Sequence, residues 1–183
     1  RPPIAPRARI RSPSRQVRVP SPMSAADATL IIPQFHHPQL TDRAVRSFLD
    51  NDGAAAEIVI VDDGSDDATR AHTERTLPKE ARLLARPHGG VTAAWNAGLS
   101  AATTPLLVFL NNDTITRGPW LDRLLEPLRC GAARMTGVEW RTEPRLPPAV
   151  ANRVPGKKRL AGWCCAVARQ ELVARGGFDA TLV

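Results

Sequence analysis

The chain contains no tyrosine, and aromatic residues make up only 4% of its 183 residues. So few aromatic side chains argue against a surface on which nucleic-acid bases stack. The sequence also lacks an apolar run long enough to cross a bilayer, and its first residues show no secretory signal pattern. We therefore do not favour an integral membrane protein. The length suits one domain with a substantial core.

Cysteine is scarce as well, with only three residues in the chain. Cys164 and Cys165 are adjacent, a spacing that seldom forms a disulfide, and Cys130 stands apart. No C-x-x-C pair is present, so the cysteines give no sign of a zinc site. We predict reduced thiols in a cytoplasmic protein, with all three packed as small apolar core residues.

The formal net charge of +7 is concentrated at the amino terminus. Residues 1–22 contain six arginines and no acid, which leaves 19 basic and 18 acidic residues in the rest of the chain. Six of the 17 prolines also lie there. We predict that residues 1–27 form a disordered basic tail. The favoured explanation of the basic residues is that the protein starts at Met23 and that the residues before it are translated upstream sequence. The alternative is a basic tail that contacts RNA or an anionic membrane.

From residue 28 onward, apolar patterns of strand type alternate with patterns of helix type. This alternation predicts right-handed crossovers and an α/β fold with a mostly parallel sheet flanked by helices over residues 28–183. Thr41 is the predicted N-cap of the first helix, and Asp66 or Asp67 that of the second. The predicted strands cover residues 29–32, 57–62, 82–86, 105–110, 133–140 and 160–169, with an antiparallel edge strand as an option for the last. The predicted helices cover residues 40–49, 66–77, 91–102 and 119–131.

Two strands of this pattern end in polar residues. The continuous apolar run at 106–110 is followed by Asn111, Asn112 and Asp113, and the run at 58–61 is followed by Asp62 and Asp63. Open α/β sheets bind ligands at the carboxyl ends of their strands. Asp113 is the candidate ligand for a hard cation, which the two asparagines could support. Asp62 and Asp63 are candidate acceptors for a base imide or a ribose hydroxyl.

Two common nucleotide-binding signatures are missing. The first strand is followed by Pro33-Gln34-Phe35-His36-His37 and not by G-x-G-x-x-G, which excludes a Rossmann dehydrogenase. The chain has no G-x-x-x-x-G-K-[ST] phosphate loop either. A sugar-nucleotide nucleotidyltransferase would require a glycine-rich basic loop at this position, so it is only the second enzyme hypothesis.

Several short motifs follow one another over roughly residues 29–179 in an order that resembles the family 2 glycosyltransferases, which are nucleotide-sugar enzymes of the GT-A fold. Each motif is weak alone, and the set in this order is specific. The motifs are Leu30-Ile31-Ile32-Pro33, Asp62-Asp63-Gly64-Ser65, His88-Gly89-Gly90, Asn96-Ala97-Gly98, Asn111-Asn112-Asp113, Gly162-Trp163-Cys164-Cys165 and Gly176-Gly177-Phe178-Asp179.

The resemblance implies roles for the nucleotide side of the site. Pro33 and its neighbours would border the base pocket, and Asp63 would accept a hydrogen bond from the base, typically uracil or thymine. Asp62 would lie beside it. Gly89 would let the backbone approach the nucleotide, and Asn96 would belong to the nucleotide-binding helix.

The resemblance also implies a divalent cation. Asp113 matches the last acid of the family's D-x-D motif, which holds Mg²⁺ or Mn²⁺ against the diphosphate, and Asn111 stands in place of the first acid. The general base of inverting members follows the Gly-Gly-Phe-Asp segment, and no residue up to Val183 matches it. We therefore expect it beyond Val183.

The predicted function is inverting, metal-dependent transfer of a sugar from a nucleoside diphosphate to a saccharide or lipid-linked acceptor, as in cell-wall or polysaccharide biosynthesis. The donor is expected to be of UDP or dTDP type, with no nucleic-acid partner. The expected location is cytoplasmic, with peripheral contact to the inner membrane face left open. A catalytically inactive nucleotide-binding fragment is the alternative of another class.

Overall fold

The structure is a computed structural model that describes residues 27–53, 56–138 and 164–181. Its centre is a six-stranded sheet in the order β3-β2-β1-β4-β6-β5. The strands are β1 (Ala28–Gln34), β2 (Glu57–Asp63), β3 (Ala81–Arg86), β4 (Leu106–Leu110), β5 (Met135–Gly137) and β6 (Cys164–Ala168). The helices are α1 (Pro38–Asp52), α2 (Asp67–Thr76), α3 (Val91–Ala101), α4 (Leu121–Arg129) and α5 (Arg169–Val173).

The sheet is mostly parallel, as the sequence predicted. Strands β1, β2, β3 and β4 pair in parallel, whereas β6 is antiparallel to both β4 and β5. The prediction of an antiparallel strand near the carboxyl end is therefore confirmed, but β6 is an interior strand and β5 is the edge. Sequence periodicity could not reveal which of the two strands lies at the edge, since strand order depends on long-range pairing.

Each face of the sheet is covered by different helices. On one face, α1 and α4 bury Phe48 and Leu125 against alternate residues of the central strands. On the other face, α3 and α5 bury Leu99 and Leu172 against the remaining residues. All five residues of β4 are buried, which explains why its apolar run does not alternate with polar residues.

Several local predictions change. Thr41 is a buried residue inside α1 and not its N-cap, a position taken by His37 in a left-handed conformation. Asp66 is confirmed as the N-cap of α2, because its Oδ1 accepts a hydrogen bond from the Thr69 N–H at 2.7 Å.

Pro33 lies within β1 and does not end it, because β1 pairs with β4 only as far as Ile31. A proline N–H is therefore not needed there.

The three cysteines are free thiols. Cys164 and Cys165 are buried, and burial raises the pKa of the first to about 12 and of the second to about 11. Cys130 is exposed at the end of α4, so the prediction that it belongs to the core is wrong. In the part of the chain that the structure describes, no helix is long and apolar enough to cross a membrane. The predicted tail, apart from Asp27, lies outside the described residues.

Candidate functional site

The predicted site residues gather at one edge of the sheet, because β1, β2 and β4 are parallel and end there. β2 delivers Asp62 and Asp63, while β4 leads directly into Asn111, Asn112 and Asp113. β1 lies between these two strands. Neighbouring strands are about 4.8 Å apart, so the ends of β2 and β4 are separated by roughly 10 Å. A ligand that contacts both must extend across the end of β1.

Asp62 lies beneath the surface of this edge and is fully buried. Its Oδ2 accepts a hydrogen bond from Gln34 Nε2 at 2.9 Å, and its Oδ1 accepts one from the Ser65 N–H at 2.9 Å. Ser65 Oγ accepts in turn from the His36 N–H at 2.8 Å. The Asp62 carboxylate therefore links the end of β1 to the end of β2, and its predicted role beside a bound base stays a prediction.

Asp63 is 3% exposed, and its carboxylate fixes the turn that leads into α3. Oδ2 accepts a hydrogen bond from the Gly90 N–H at 2.8 Å, and the Gly89 N–H lies 3.2 Å from both carboxylate oxygens. Arg86 Nη1 forms an ion pair with Oδ1, and His88 Nδ1 lies 2.9 Å from Oδ2. A carboxylate has about four acceptor positions. Donors of the protein itself occupy them here.

The glycines of this turn permit close approach. A Cβ on Gly89 would lie 2.8 Å from Arg86 Nη2, so a side chain there would displace the guanidinium. Gly90 has a φ of 85° and precedes the first residue of α3. A left-handed φ is easily adopted only by glycine. The turn is thus shaped by its glycines and anchored by Asp63.

An exposed aromatic group stands beside this turn. Phe35 is 45% exposed, and its ring stacks on the His88 imidazole with 4.3 Å between ring centroids. The two residues that follow Phe35, His36 and His37, have φ values of 54° and 52°. Such conformations are costly for residues with a side chain and are typical of functional sites. Sequence reasoning had no signal for this conformation.

Asp113 lies on the turn after β4 and is exposed. Within the described ranges its carboxylate takes part in no hydrogen bond or ion pair, whereas Asn112 Nδ2 donates to Thr41 Oγ1 at 3.2 Å and ties the turn to α1. Among the residues that the structure describes, no three His, Cys, Asp or Glu side chains form a metal cluster. One free carboxylate fits Mg²⁺ or Mn²⁺ only where water and ligand phosphates supply the other bonds.

Asn96 uses its amide for a contact within the protein. Its Nδ2 donates to the Phe178 carbonyl oxygen at 2.8 Å, and its Oδ1 accepts from the Phe178 N–H at 2.8 Å. The structure thus gives Asn96 a protein partner, Phe178, and its predicted role toward a nucleotide stays a prediction. Sequence reasoning also missed the roles of Gln34, Phe35 and Arg86, because each depends on a partner far away in sequence.

A well-defined cavity in the described part of the chain lies elsewhere. Its volume is about 710 Å³, and it is lined by Asp27, Leu106, Arg129 and Arg169 among others. Leu106 begins β4, so this cavity is at the amino edge of the sheet, opposite the candidate site. Arg129 is already paired there with Asp27, at 2.7 and 2.8 Å. The cavity does not include the predicted site residues.

Comparison with known proteins agrees with this geometry. The model of glycosyl transferase family 2 matches residues 29–145. The chain is 35% identical over 115 residues to the pre-mycofactocin glycosyltransferase of Mycobacterium tuberculosis, covering 59% of this chain and 22% of that protein. It is 31% identical over 110 residues to the succinoglycan biosynthesis protein ExoO of Rhizobium meliloti, covering 60% and 32%. The chain spans a third or less of the length of these relatives.

Among solved structures, the fold is similar to that of the mannosyltransferase PcManGT from Pyrobaculum calidifontis, which is in complex with GDP-Man and Mn²⁺. The TM-score is 0.64 at 23% sequence identity, over 84% of this chain and 48% of that one. At this identity the similarity establishes the GT-A fold alone. Because the family model spans more than half of the residues, the chain belongs to glycosyl transferase family 2.

Proposed function

We propose that the carboxyl edge of β1, β2 and β4 binds a nucleoside-diphosphate sugar, and that the protein transfers the sugar with inversion to a saccharide or lipid-linked acceptor. The observation that carries this proposal is the separation of two different acidic positions across the end of β1. Asp63 is buried and hydrogen-bonded, whereas Asp113 is exposed and unpaired within the described ranges. One end suits a base and the other a metal with its phosphates.

The base would lie near Phe35, whose exposed ring offers a stacking surface next to Pro33 and the Asp63 turn. Stacking on an aromatic ring accepts any base, so the choice of base depends on hydrogen bonds. For a uracil or thymine imide to reach Asp63, its N–H would replace one of the glycine N–H donors. Such an exchange conserves the number of hydrogen bonds at the carboxylate.

The diphosphate would lie over Asp113, with Asn111 and Asn112 on the same turn. Mg²⁺ or Mn²⁺ bound there would offset the charge that develops on the departing diphosphate. The residues of the protein hold this turn in place, through the bond from Asn112 to Thr41 and the bond from the Thr116 N–H to Ser47 Oγ at 3.1 Å. The hydrogen bonds that hold the turn therefore do not involve the Asp113 carboxylate, which stays available for a metal ion.

Two relatives support the substrate class. One is a pre-mycofactocin glycosyltransferase and another is a succinoglycan biosynthesis protein, and the structural neighbour holds GDP-Man with Mn²⁺. We propose a donor of UDP or dTDP type, because Asp63 follows the pattern of the family's base-reading acid. A cytoplasmic location at the inner membrane face remains part of this proposal.

Calorimetric titration of UDP, dTDP and GDP, each with and without Mn²⁺, tests the proposal. We expect UDP or dTDP to bind at least about tenfold more tightly with Mn²⁺, and Asp113→Ala to remove this difference. Asp50→Ala is the matched control, since Asp50 is an exposed acid on α1 outside the site. Affinity that is equal with and without metal would contradict the proposed metal site, and preference for GDP would correct the base.

A further inference from the structure

The short segment after α5 returns the chain to the ligand edge of the sheet. β6 runs antiparallel to β4, so it ends at the amino edge, where α5 begins. Residues 174–181 follow α5, and the Phe178 ring then packs at the other end of β4, with its centroid 5.0 Å from that of Phe109. Phe109 lies two residues before Asn111. The segment therefore returns to the carboxyl half of β4, the strand that leads into the turn carrying Asp113.

This segment is held by one side chain of α3. The Asn96 amide donates to the carbonyl oxygen of Phe178 and accepts from its N–H, both at 2.8 Å. A primary amide can form this pair of hydrogen bonds to one backbone residue because it carries a donor and an acceptor side by side. A carboxylate only accepts and an aliphatic side chain does neither.

The residue before Phe178 is shaped for this contact. Gly177 has a φ of 91°, and a Cβ added to it would lie 2.5 Å from Asn96 Oδ1. Gly176 also has a left-handed φ, of 78°, but a Cβ added there meets no atom within 4 Å. Glycine is therefore favoured at position 177 for two reasons, which are the left-handed φ and the space that the Asn96 amide requires.

Aromatic packing completes the contact. The Phe178 ring lies 5.2 Å from the Trp95 ring, which stands next to Asn96 on α3. Trp95 is in turn 5.5 Å from Phe109. Three rings from α3, β4 and the returning segment therefore meet where the amide fixes the backbone. Such ring pairs add to the stability of a contact beyond the area that they bury.

We propose that Asn96 is a positioning residue and not a nucleotide ligand: through Phe178 it sets the path of residues 177–181 along the ligand edge, beyond the donor pocket. This inference rests on the proposed function, because it assigns the segment to the side of the site where a second substrate meets the donor.

Hydrogen exchange of the Phe178 N–H measures the contact directly. In Asn96→Ala we expect the protection of this amide to fall about tenfold, which is the effect of one lost hydrogen bond. The dissociation constant of UDP with Mn²⁺ should stay within threefold of the wild type. Unchanged protection would overturn the proposal, and so would a loss of UDP affinity greater than tenfold.

Asn96→Asp distinguishes loss of the amide donor from a general loss of packing, because only the first should be reversed by a change of pH. At neutral pH the new carboxylate can still accept from the Phe178 N–H, but it repels the Phe178 carbonyl oxygen that Asn96 Nδ2 contacts in the wild type, so protection should fall. When the pH is lowered through the pKa of this carboxyl, the acid regains a donor and protection should recover. The wild type is the control for Asp179, the titratable residue next to Phe178, because it contains Asp179 but not the new carboxyl. The protection factor of the Phe178 N–H in the wild type should therefore stay constant over the same pH range. Absence of recovery would overturn the role of the amide donor.

Gly177→Ala approaches the same contact from the other side, with Gly176→Ala as its matched control. Both variants place alanine at a left-handed φ, but only the first meets Asn96. We expect lost protection at Phe178 in Gly177→Ala alone, with UDP affinity unchanged in both. Equal loss of UDP affinity in Asn96→Ala and Gly177→Ala would overturn the proposal, because the contact would then serve the donor. If the wild type binds no nucleotide, the proposed function fails while the exchange results still decide whether Asn96 holds the segment.

Discussion

The Asp63 carboxylate accepts a hydrogen bond from the Gly90 N–H at 2.8 Å across 27 residues of sequence. This bond connects the end of β2 to the first turn of α3. Because Gly90 precedes Val91, the first residue of α3, the carboxylate also lies at the positive end of the helix dipole. A residue predicted to read a base thus also determines the shape of the pocket in which the base would lie.

Replacing Asp63 by asparagine should therefore lower stability as well as nucleotide affinity. The amide group would place N–H donors against the Gly89 and Gly90 donors and would leave Arg86 without its charge partner. We expect the free energy of unfolding to fall by about 1–3 kcal/mol, measured by urea denaturation. Asp67→Asn is the control, since this exposed acid pairs with Arg70 alone among the described residues and should change stability by less than about 0.5 kcal/mol. Equal effects in the two variants would show that Asp63 does not anchor the turn.

Replacing Phe35 by alanine should affect binding and spare stability. The ring is 45% exposed, so its removal leaves no core cavity. If a base stacks on it, UDP affinity should weaken by about 1–3 kcal/mol in a calorimetric titration. Val173→Ala is the control, because Val173 is 52% exposed and lies on α5 at the opposite edge of the sheet. Unchanged UDP affinity in Phe35→Ala would move the base pocket away from β1.

Gly98→Ala should destabilise the protein even though alanine favours helices. The intrinsic gain in α3 is about 1 kcal/mol. The new Cβ would lie 2.4 Å from Cγ2 of Ile31, which is fully buried in the central strand β1. Overpacking of this kind costs about 1–3 kcal/mol, so we expect a net loss in urea denaturation. Ser100→Ala, at an exposed position of the same helix, should stay within about 0.5 kcal/mol. A Gly98→Ala protein more stable than the wild type would contradict the close contact with β1.

Thiol labelling should distinguish Cys130 from the other two cysteines. At pH 8 we expect an aromatic disulfide reagent to modify one thiol in the folded protein and three in urea, and none in folded Cys130→Ser. Burial raises the pKa of Cys164 to about 12 and of Cys165 to about 11, so both stay protonated. The unfolded thiols ionise near 9.0, which means that stability from these groups is present below pH 9 and is lost as the pH rises toward 11 and 12. Two or three modified thiols in the folded state would contradict the burial of β6.

The sequence alone determined the alternation of strands and helices, the parallel centre of the sheet and the edge at which the predicted site residues gather. These features follow from apolar periodicity and from the handedness of crossovers, which are properties of neighbouring residues. The same reasoning placed Asp62, Asp63 and Asp113 at the ends of β2 and β4, because a strand that is buried on both faces must end where polar residues begin.

Only the tertiary structure decided which groups those side chains meet. Asn96 and Phe178 are 82 residues apart, and Asp63 and Arg86 are separated by 23. A short polar motif has the same spacing whether its amide binds a ligand or a backbone, so local sequence cannot tell the two apart. The placement of β6 inside the sheet and the exposure of Cys130 have the same origin. Each depends on which distant segments pack together, and that choice is made by the free energy of the whole fold.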